Sequence, residues 1–400
     1  MTTYNFDQHI NRYGTDCIKF DFKSHYKKPE DVLPMWVADM DFAVPDDVTE
    51  AIMERARHGI YGYTIAGEEY DQAVIGWMKR RHGYDIEKDW ILQTPGVVYA
   101  IVMAIRAFTN PGDAVMIQTP VYYPFYKSIH NNGRKIVTNP LIYEKGKEVA
   151  YTIDLKQFEQ AIIENDVKLF VLCNPHNPVG RVWTREELIG MGEILKKHNV
   201  LVVSDEIHMD FVFSGHKHLV FAALNEEFKD MTITCTAPSK TFNLAGLQLS
   251  NIIVANETLR NKLRQEIYAT GYCEANVFGL VACQAAYEHG DEYVDQLNEY
   301  VQGNIDYIDN FLKENLPKAH LIRPEGTYLL WVDFSEYGIS IEKMNERILH
   351  KAKLWFNSGE IFGAEGKGFQ RINVATNRLV IEQALEQLKD AFSDLGDIPE

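Results

Sequence analysis

Four short segments carry side chains that could do chemistry together. Thr236-Ala237-Pro238-Ser239-Lys240-Thr241-Phe242 sets a single lysine among small and apolar residues. Taking an ammonium out of water favours the neutral amine, the form that makes Schiff bases with carbonyl compounds. Val202-Val203-Ser204-Asp205-Glu206-Ile207-His208 closes an apolar run on an aspartate. A buried carboxylate asks for a cation or a strong donor, and a protonated ring nitrogen would serve. Asn174-Pro175-His176-Asn177-Pro178-Val179-Gly180 is a non-helical turn able to aim the Asn177 amide into a pocket. Gln93-Thr94-Pro95-Gly96-Val97-Val98-Tyr99 leads into an apolar helix whose free N–H groups suit a phosphate.

Each segment alone also has an ordinary reading: a solvated lysine, a loop aspartate, a structural turn, a Pro–Gly loop. Asp205, Glu206 and His208 lack further ligands nearby in sequence, so no metal site is expected. The combination is more specific. An anion cradle, an amide, a carboxylate and a lysine are what pyridoxal 5′-phosphate needs for its phosphate, phenolic oxygen, pyridinium nitrogen and aldehyde.

The elements that must position these groups alternate. Strands are predicted at Ala114–Gln118, Lys168–Cys173, Val200–Ser204, Met231–Cys235 and Asn251–Val254. Amphipathic stretches lie between them, such as Thr184–His198 with an N-cap threonine and an acidic first turn. This alternation implies an α/β fold, a mostly parallel sheet whose chemistry gathers at the carboxyl ends of its strands. After about Gly290 the pattern changes. Helices at Val294–Glu314, Ile341–Ala352 and Leu379–Leu395 flank a strand-like Thr327–Phe334, a smaller α+β unit. The expected division is a large domain over 46–290 and a small one from 1–45 plus 291–400.

Composition narrows the function. The chain has 400 residues, 46% hydrophobic, with a formal net charge of −17. Such a surface repels a phosphate backbone, so nucleic acid is not an expected partner. No run approaches the length of a membrane span, and the chain opens without a basic, then apolar, leader. Five cysteines without a CxxC read as reduced. A cytoplasmic enzyme is expected.

Longer stretches carry a resemblance: NRYGTDCIKFD, MWVADMDF, YGYT, TPGVVYAI, QTPVYYPF, CNPHNPVGR, SDEIHMDF, TAPSKTFNLAGLQLSN and FQRINVATNR. The chain resembles the fold-type I pyridoxal-phosphate enzymes of the class I/II aminotransferase superfamily. Within it, the chain is similar to the cystathionine β-lyase (C–S lyase, MalY/PatB-type) branch. The resemblance implies that Lys240 binds the cofactor and moves the substrate Cα proton, that Asp205 pairs with the ring nitrogen, and that Asn177 bonds the phenolic oxygen. It implies that Tyr122 stacks on the ring beside His208, and that Gly96, Val97, Val98 and Ser239 hold the phosphate. Arg371 would grip the substrate carboxylate, Tyr123 would assist the leaving thiolate, and Asp39 would border the leaving-group pocket. Tyr63 would reach phosphate and substrate in the neighbouring subunit of a homodimer. Two positions depart from the aminotransferase pattern: His208 replaces a tyrosine and Gln248 a phosphate-binding arginine. The implied reaction is α,β-elimination from L-cystathionine or other cysteine S-conjugates. An aminotransferase, which uses the same cofactor contacts, is the alternative.

Overall fold

The computed structural model describes residues 2–395. The expected small domain, 1–45 plus 291–400, thus has its ends, residue 1 and residues 396–400, outside the described residues.

Seven strands form one sheet: β1 (Ile91–Thr94), β2 (Ala114–Thr119), β3 (Lys135–Pro140), β4 (Val167–Cys173), β5 (Leu201–Asp205), β6 (Thr232–Thr236) and β7 (Ser250–Ile253). Their order is β1-β7-β6-β5-β4-β2-β3. From β6 to β3 the neighbours run parallel, and β7 is antiparallel to both β6 and β1. The expected strands lie within about a residue of these bounds. The unpredicted β1 and β3 are the two edges. β1 has four residues, and β3 alternates buried and exposed positions with polar side chains, as edge strands do.

The two-residue period of a strand splits the core. Leu169, Val171, Cys173 and Val203 pack on one face with the apolar helix Val97–Phe108. Phe170, Leu172 and Val202 pack on the other with helix Arg185–Lys197. That second helix starts as its sequence implies: Thr184 and Glu187 form a reciprocal capping box, at 3.2 and 2.9 Å.

A second sheet is antiparallel, with β8 (His320–Ile322), β9 (Leu329–Asp333), β10 (Asn357–Ser358) and β11 (Phe369–Asn373) in the order β8-β9-β11-β10. The expected helix over Ile341–Ala352 is regular only over Ile341–Glu346, then widens to π pitch over Arg347–Lys351. The N-terminal segment docks on this unit: Leu33–Pro34 pairs with Leu354–Trp355, and Trp36 stacks on Trp355 at 4.3 Å between ring centroids. Among the described residues no helix is long and apolar enough to cross a membrane. All five cysteines are free.

The parallel strands bring their carboxyl ends to one edge. β1 leads into Gly96–Val98, β2 into Tyr122 and Tyr123, and β4 into Asn177; β5 ends on Asp205, and β6 runs into Lys240. Cys173, Asp205 and Cys235 stand in register across three neighbouring strands, so these ends lie level.

Candidate active site

At that edge lies a cavity of about 200 Å³. Gly96, Val97, Val98, Tyr122, Asn177, Asp205, His208, Ser239 and Lys240 all line it. Nine of the residues expected at a cofactor site from sequence therefore meet in one space, together with Ala38 from the N-terminal segment.

Lys240 sits at the end of a short helix, Pro238–Thr241, and its Nζ donates to the carbonyl oxygen of Ala38 at 2.6 Å. Burial pushes its amine down to about 8, with Arg371 acting the same way and the carboxylates of Asp39 and Asp205 opposing. The amine is thus poised near its neutral, nucleophilic form. Asp205 is the opposite case. Its Oδ1 accepts from the Ile207 N–H at 3.1 Å, and burial pushes its carboxyl up to about 7. A cationic N–H placed against it would ionise it. His208 is buried, and burial together with the charges of Lys240 and Arg371 holds it neutral, well below its usual range. Its Nδ1 has no hydrogen-bond partner among the described residues.

No side chain caps the start of helix Val97–Phe108, where Gly96 is the extended N-cap residue. Its free N–H groups and positive dipole end face the cavity, as an anion requires. Ala245 and Leu249 line the wall where the superfamily pattern would set an arginine; Gln248 stands between them in a left-handed turn. An anion held there would depend on backbone and hydroxyl donors, and Ser239 lines the same cavity.

Arg371, on β11, is buried and reaches across to the first sheet. Its Nη1 donates to Asn177 Oδ1 at 3.1 Å, and its Nη2 to Trp36 O at 2.9 Å and Asn357 Oδ1 at 2.7 Å. Phe362 lies under the guanidinium, 4.8 Å from ring centroid to carbon, and packs edge-on to Tyr123 at 5.8 Å. The Arg371 Nε is buried without a partner among the described residues, and burial pushes the group down to about 10. An oxyanion near it would complete the set.

Four expected residues are not part of the cavity lining: Arg371 and Tyr123, which pack on Phe362 beside it, and Asp39 and Tyr63. The carboxylate of Asp39 does not border the cavity: it is taken by Arg12 at 2.8 Å and Lys19 at 3.7 Å. Its charge still acts on the Lys240 amine, opposing the effect of burial. Tyr63 is 97% exposed and touches nothing of this cavity within its own chain. Trp36, Asn357, Phe362 and Tyr328 were not singled out from sequence. The Tyr328 hydroxyl donates to the same Ala38 carbonyl as Lys240, at 3.1 Å. Asn357, Phe362 and Tyr328 carry no local chemical signal, and Trp36 contributes through its backbone carbonyl, which no residue type reports.

The residues present fit a flat ring compound bearing a phosphate and an aldehyde: an uncapped helix start, an unpaired buried carboxyl, a near-neutral amine and an aromatic face at Tyr122. Comparison with known proteins agrees. The chain is 44% identical over 389 residues, 97% of its length and 100% of the relative's, to cystathionine beta-lyase PatB of Bacillus subtilis. Cystalysin of Treponema denticola, crystallised with pyridoxal 5′-phosphate, superposes with a TM-score of 0.94 at 39% identity, covering 98% of this chain and 100% of that one. The PLP-bound C–S lyase of Staphylococcus hominis gives 0.90 at 35% identity, covering 98% of each. The sequence model of the family described as aminotransferase class I and II matches residues 30–388. With that match spanning both sheets and the strand ends that build the cavity, the chain belongs to the aminotransferase class I and II family.

Proposed function

We propose that the chain works as a carbon–sulfur β-lyase of the cystathionine β-lyase type, dependent on pyridoxal 5′-phosphate. The carrying observation is one cavity that joins the near-neutral Lys240 amine, the Asp205 carboxyl and the uncapped start of helix Val97–Phe108. Full-length similarity to a cystathionine beta-lyase supports the reaction class. L-Cystathionine and water would give L-homocysteine, pyruvate and ammonia.

When bound, pyridoxal phosphate supplies an aldehyde that joins an amine and a ring that accepts the electron pair left at Cα. The rest falls to the chain. Lys240 holds the cofactor, then takes the proton from substrate Cα. Asp205 keeps a proton on the ring nitrogen. The Asn177 carbonyl oxygen is occupied by Arg371, which leaves its amide N–H₂ as the group that would donate to the phenolic oxygen. Tyr122 covers one ring face, with His208 neutral beside it. Gly96, Val97, Val98 and Ser239 receive the phosphate, and Arg371 the substrate carboxylate. Tyr123, packed against Phe362, would assist the leaving thiolate.

We further read the protein as a cytoplasmic homodimer in which Tyr63 completes the partner's site. Five free cysteines and the exposure of Tyr63 support this. The two sheets support a division into 46–290 and 1–45 plus 291–400.

The test is to give the cofactor-loaded protein L-cystathionine without a keto acid and follow pyruvate and thiol together. Equimolar release of both is the expected result. Turnover that waits for a keto acid, with amino-group transfer, would make the protein an aminotransferase instead.

A further inference from the structure

Lys240 is followed by a residue that faces away from the cavity. Thr241 is fully buried, and its hydroxyl donates to Asp210 Oδ2 at 2.6 Å. Asp210 lies on the loop that starts with Asp205 and passes through His208. Its other oxygen, Oδ1, meets the Nε2 of His82 at 2.8 Å, and its backbone carbonyl accepts from Asn298 Nδ2 at 2.7 Å. His82 closes helix Glu68–His82 and Asn298 lies on helix Asp291–Asn315. One buried aspartate thus joins the lysine turn, the aspartate loop and two helices from behind the site, its carboxylate bonding Thr241 and His82 and its backbone carbonyl Asn298. The Asp210 side chain is 1% exposed and that of His82 5%. Burial alone would raise the Asp210 carboxyl, but the bonds from His82 and Thr241 outweigh it and hold the group below its usual range.

The cofactor reading needs Lys240 and Asp205 at a fixed separation, since they hold opposite ends of one rigid ring. Asp205 is the last residue of β5, paired with Cys235 on β6, whereas Lys240 lies five residues past Cys235, in the short helix Pro238–Thr241. The strand register fixes Asp205, but not where the turn beyond β6 carries the Lys240 side chain. Thr241–Asp210 is the side-chain link that closes this gap, one residue from Lys240 and five from Asp205 along the chain. A carboxylate suits the task because it has two acceptor atoms, one for the lysine turn and one for the outer helix.

We propose that Asp210 is a positioning residue, tying the Lys240 turn through Thr241 to the loop bearing Asp205 and His208, with His82 as its outer anchor. The inference rests on Lys240 being the cofactor lysine.

The experiment uses holoenzyme with Thr241→Val, which removes the donor and keeps the side-chain shape, and Thr241→Ser, which returns the donor. Thr241→Ala, which does not press a methyl group on the carboxylate, stands in if the valine variant fails to fold. Borohydride reduction and mass mapping report whether the cofactor is fixed to Lys240. Because Arg371 grips the substrate and is not moved, kcat should fall roughly tenfold with KM nearly unchanged. The cofactor should also leave faster on dialysis, and Thr241→Ser should restore both. A folded valine or alanine variant that keeps wild-type kcat and cofactor retention overturns the tie. Failure of wild-type holoenzyme to carry the cofactor on Lys240 overturns the reading beneath it, and the tie with it.

Discussion

The Nζ of Lys240 donates to the carbonyl oxygen of Ala38, 202 residues earlier in the chain, at 2.6 Å. That carbonyl belongs to a segment held on every side. Asn373 donates to Val37 O and Asp39 O, Asn243 bonds the backbone N and O of Met40, and Arg12 and Lys19 grip Asp39 and Asp41. The N-terminal segment is therefore a wall of the reactive site. Its rigidity sets where the free amine rests.

The first prediction concerns the charge on that amine. In the folded, cofactor-free protein it titrates at about 8, against about 10.4 in an unfolded chain. Between those values the unfolded state binds more protons, so stability rises with pH; below 8 both states are charged and the burial penalty is fully present. Lys240→Met should stabilise the cofactor-free protein at pH 7 by about 2–3 kcal/mol, after loss of the bond to Ala38. The gain should shrink toward zero as pH nears 10. Urea titrations across that range decide it, and a methionine variant less stable at pH 7 would refute the argument.

Arg371 makes the second. Its guanidinium already spends both Nη atoms on Asn177, Trp36 and Asn357. A lysine has one nitrogen and cannot hold these partners and a carboxylate together. Arg371→Lys should raise KM for cystathionine about 10–100-fold, the equivalent of one or two charge-assisted hydrogen bonds, and lower kcat less. An unchanged KM would remove Arg371 from substrate binding.

How much of this was readable beforehand follows from distance along the chain. Asp205 and Asn177 could be singled out because an apolar strand and a breaking turn are adjacent to them. The capping box at Thr184 and Glu187 was readable for the same reason. The brace of Arg371 on Trp36 joins residues 335 positions apart, and no period or local composition reports such a pair. The pairing of Asp39 with Arg12 and Lys19 was not readable, because those partners come from an irregular stretch without pattern. Asp210 was passed over because its meaning depends on Thr241 and His82, which only the fold brings to it.

The third prediction tests the N-terminal brace. Burial would raise the Asp41 carboxyl, but Lys19 and Arg12 overcome this and hold it below its usual range. A carboxyl so depressed contributes stability that is present above about pH 4 and lost as pH falls through its folded value. The Lys19 side chain is 2% exposed, 2.9 Å from Asp41. Lys19→Met should cost about 3 kcal/mol at pH 7, since it leaves a carboxylate short of a partner. The deficit should narrow below pH 4. Activity should fall as well, because the loosened segment carries Ala38. If the loss in urea titration were the same at pH 3 and pH 7, the ion pair would not be its source.

The last prediction asks what Tyr63 is for. A tyrosine 97% exposed, in a run where Ile60, Tyr61 and Ile65 are also exposed, has no packing role within its own chain. If Tyr63 serves the partner's cofactor, a site needs Lys240 from one protomer and Tyr63 from the other. Lys240→Ala and Tyr63→Ala variants should each be nearly inactive as pure homodimers. Mixed through reversible dissociation, half the dimers carry both substitutions on opposite protomers, and in these one site of two has both native residues. Activity should recover to roughly a quarter of wild type. Two copies that work independently recover nothing on mixing. A Tyr63→Ala homodimer of wild-type activity would leave the exposed run as an interface alone, without a part in the site.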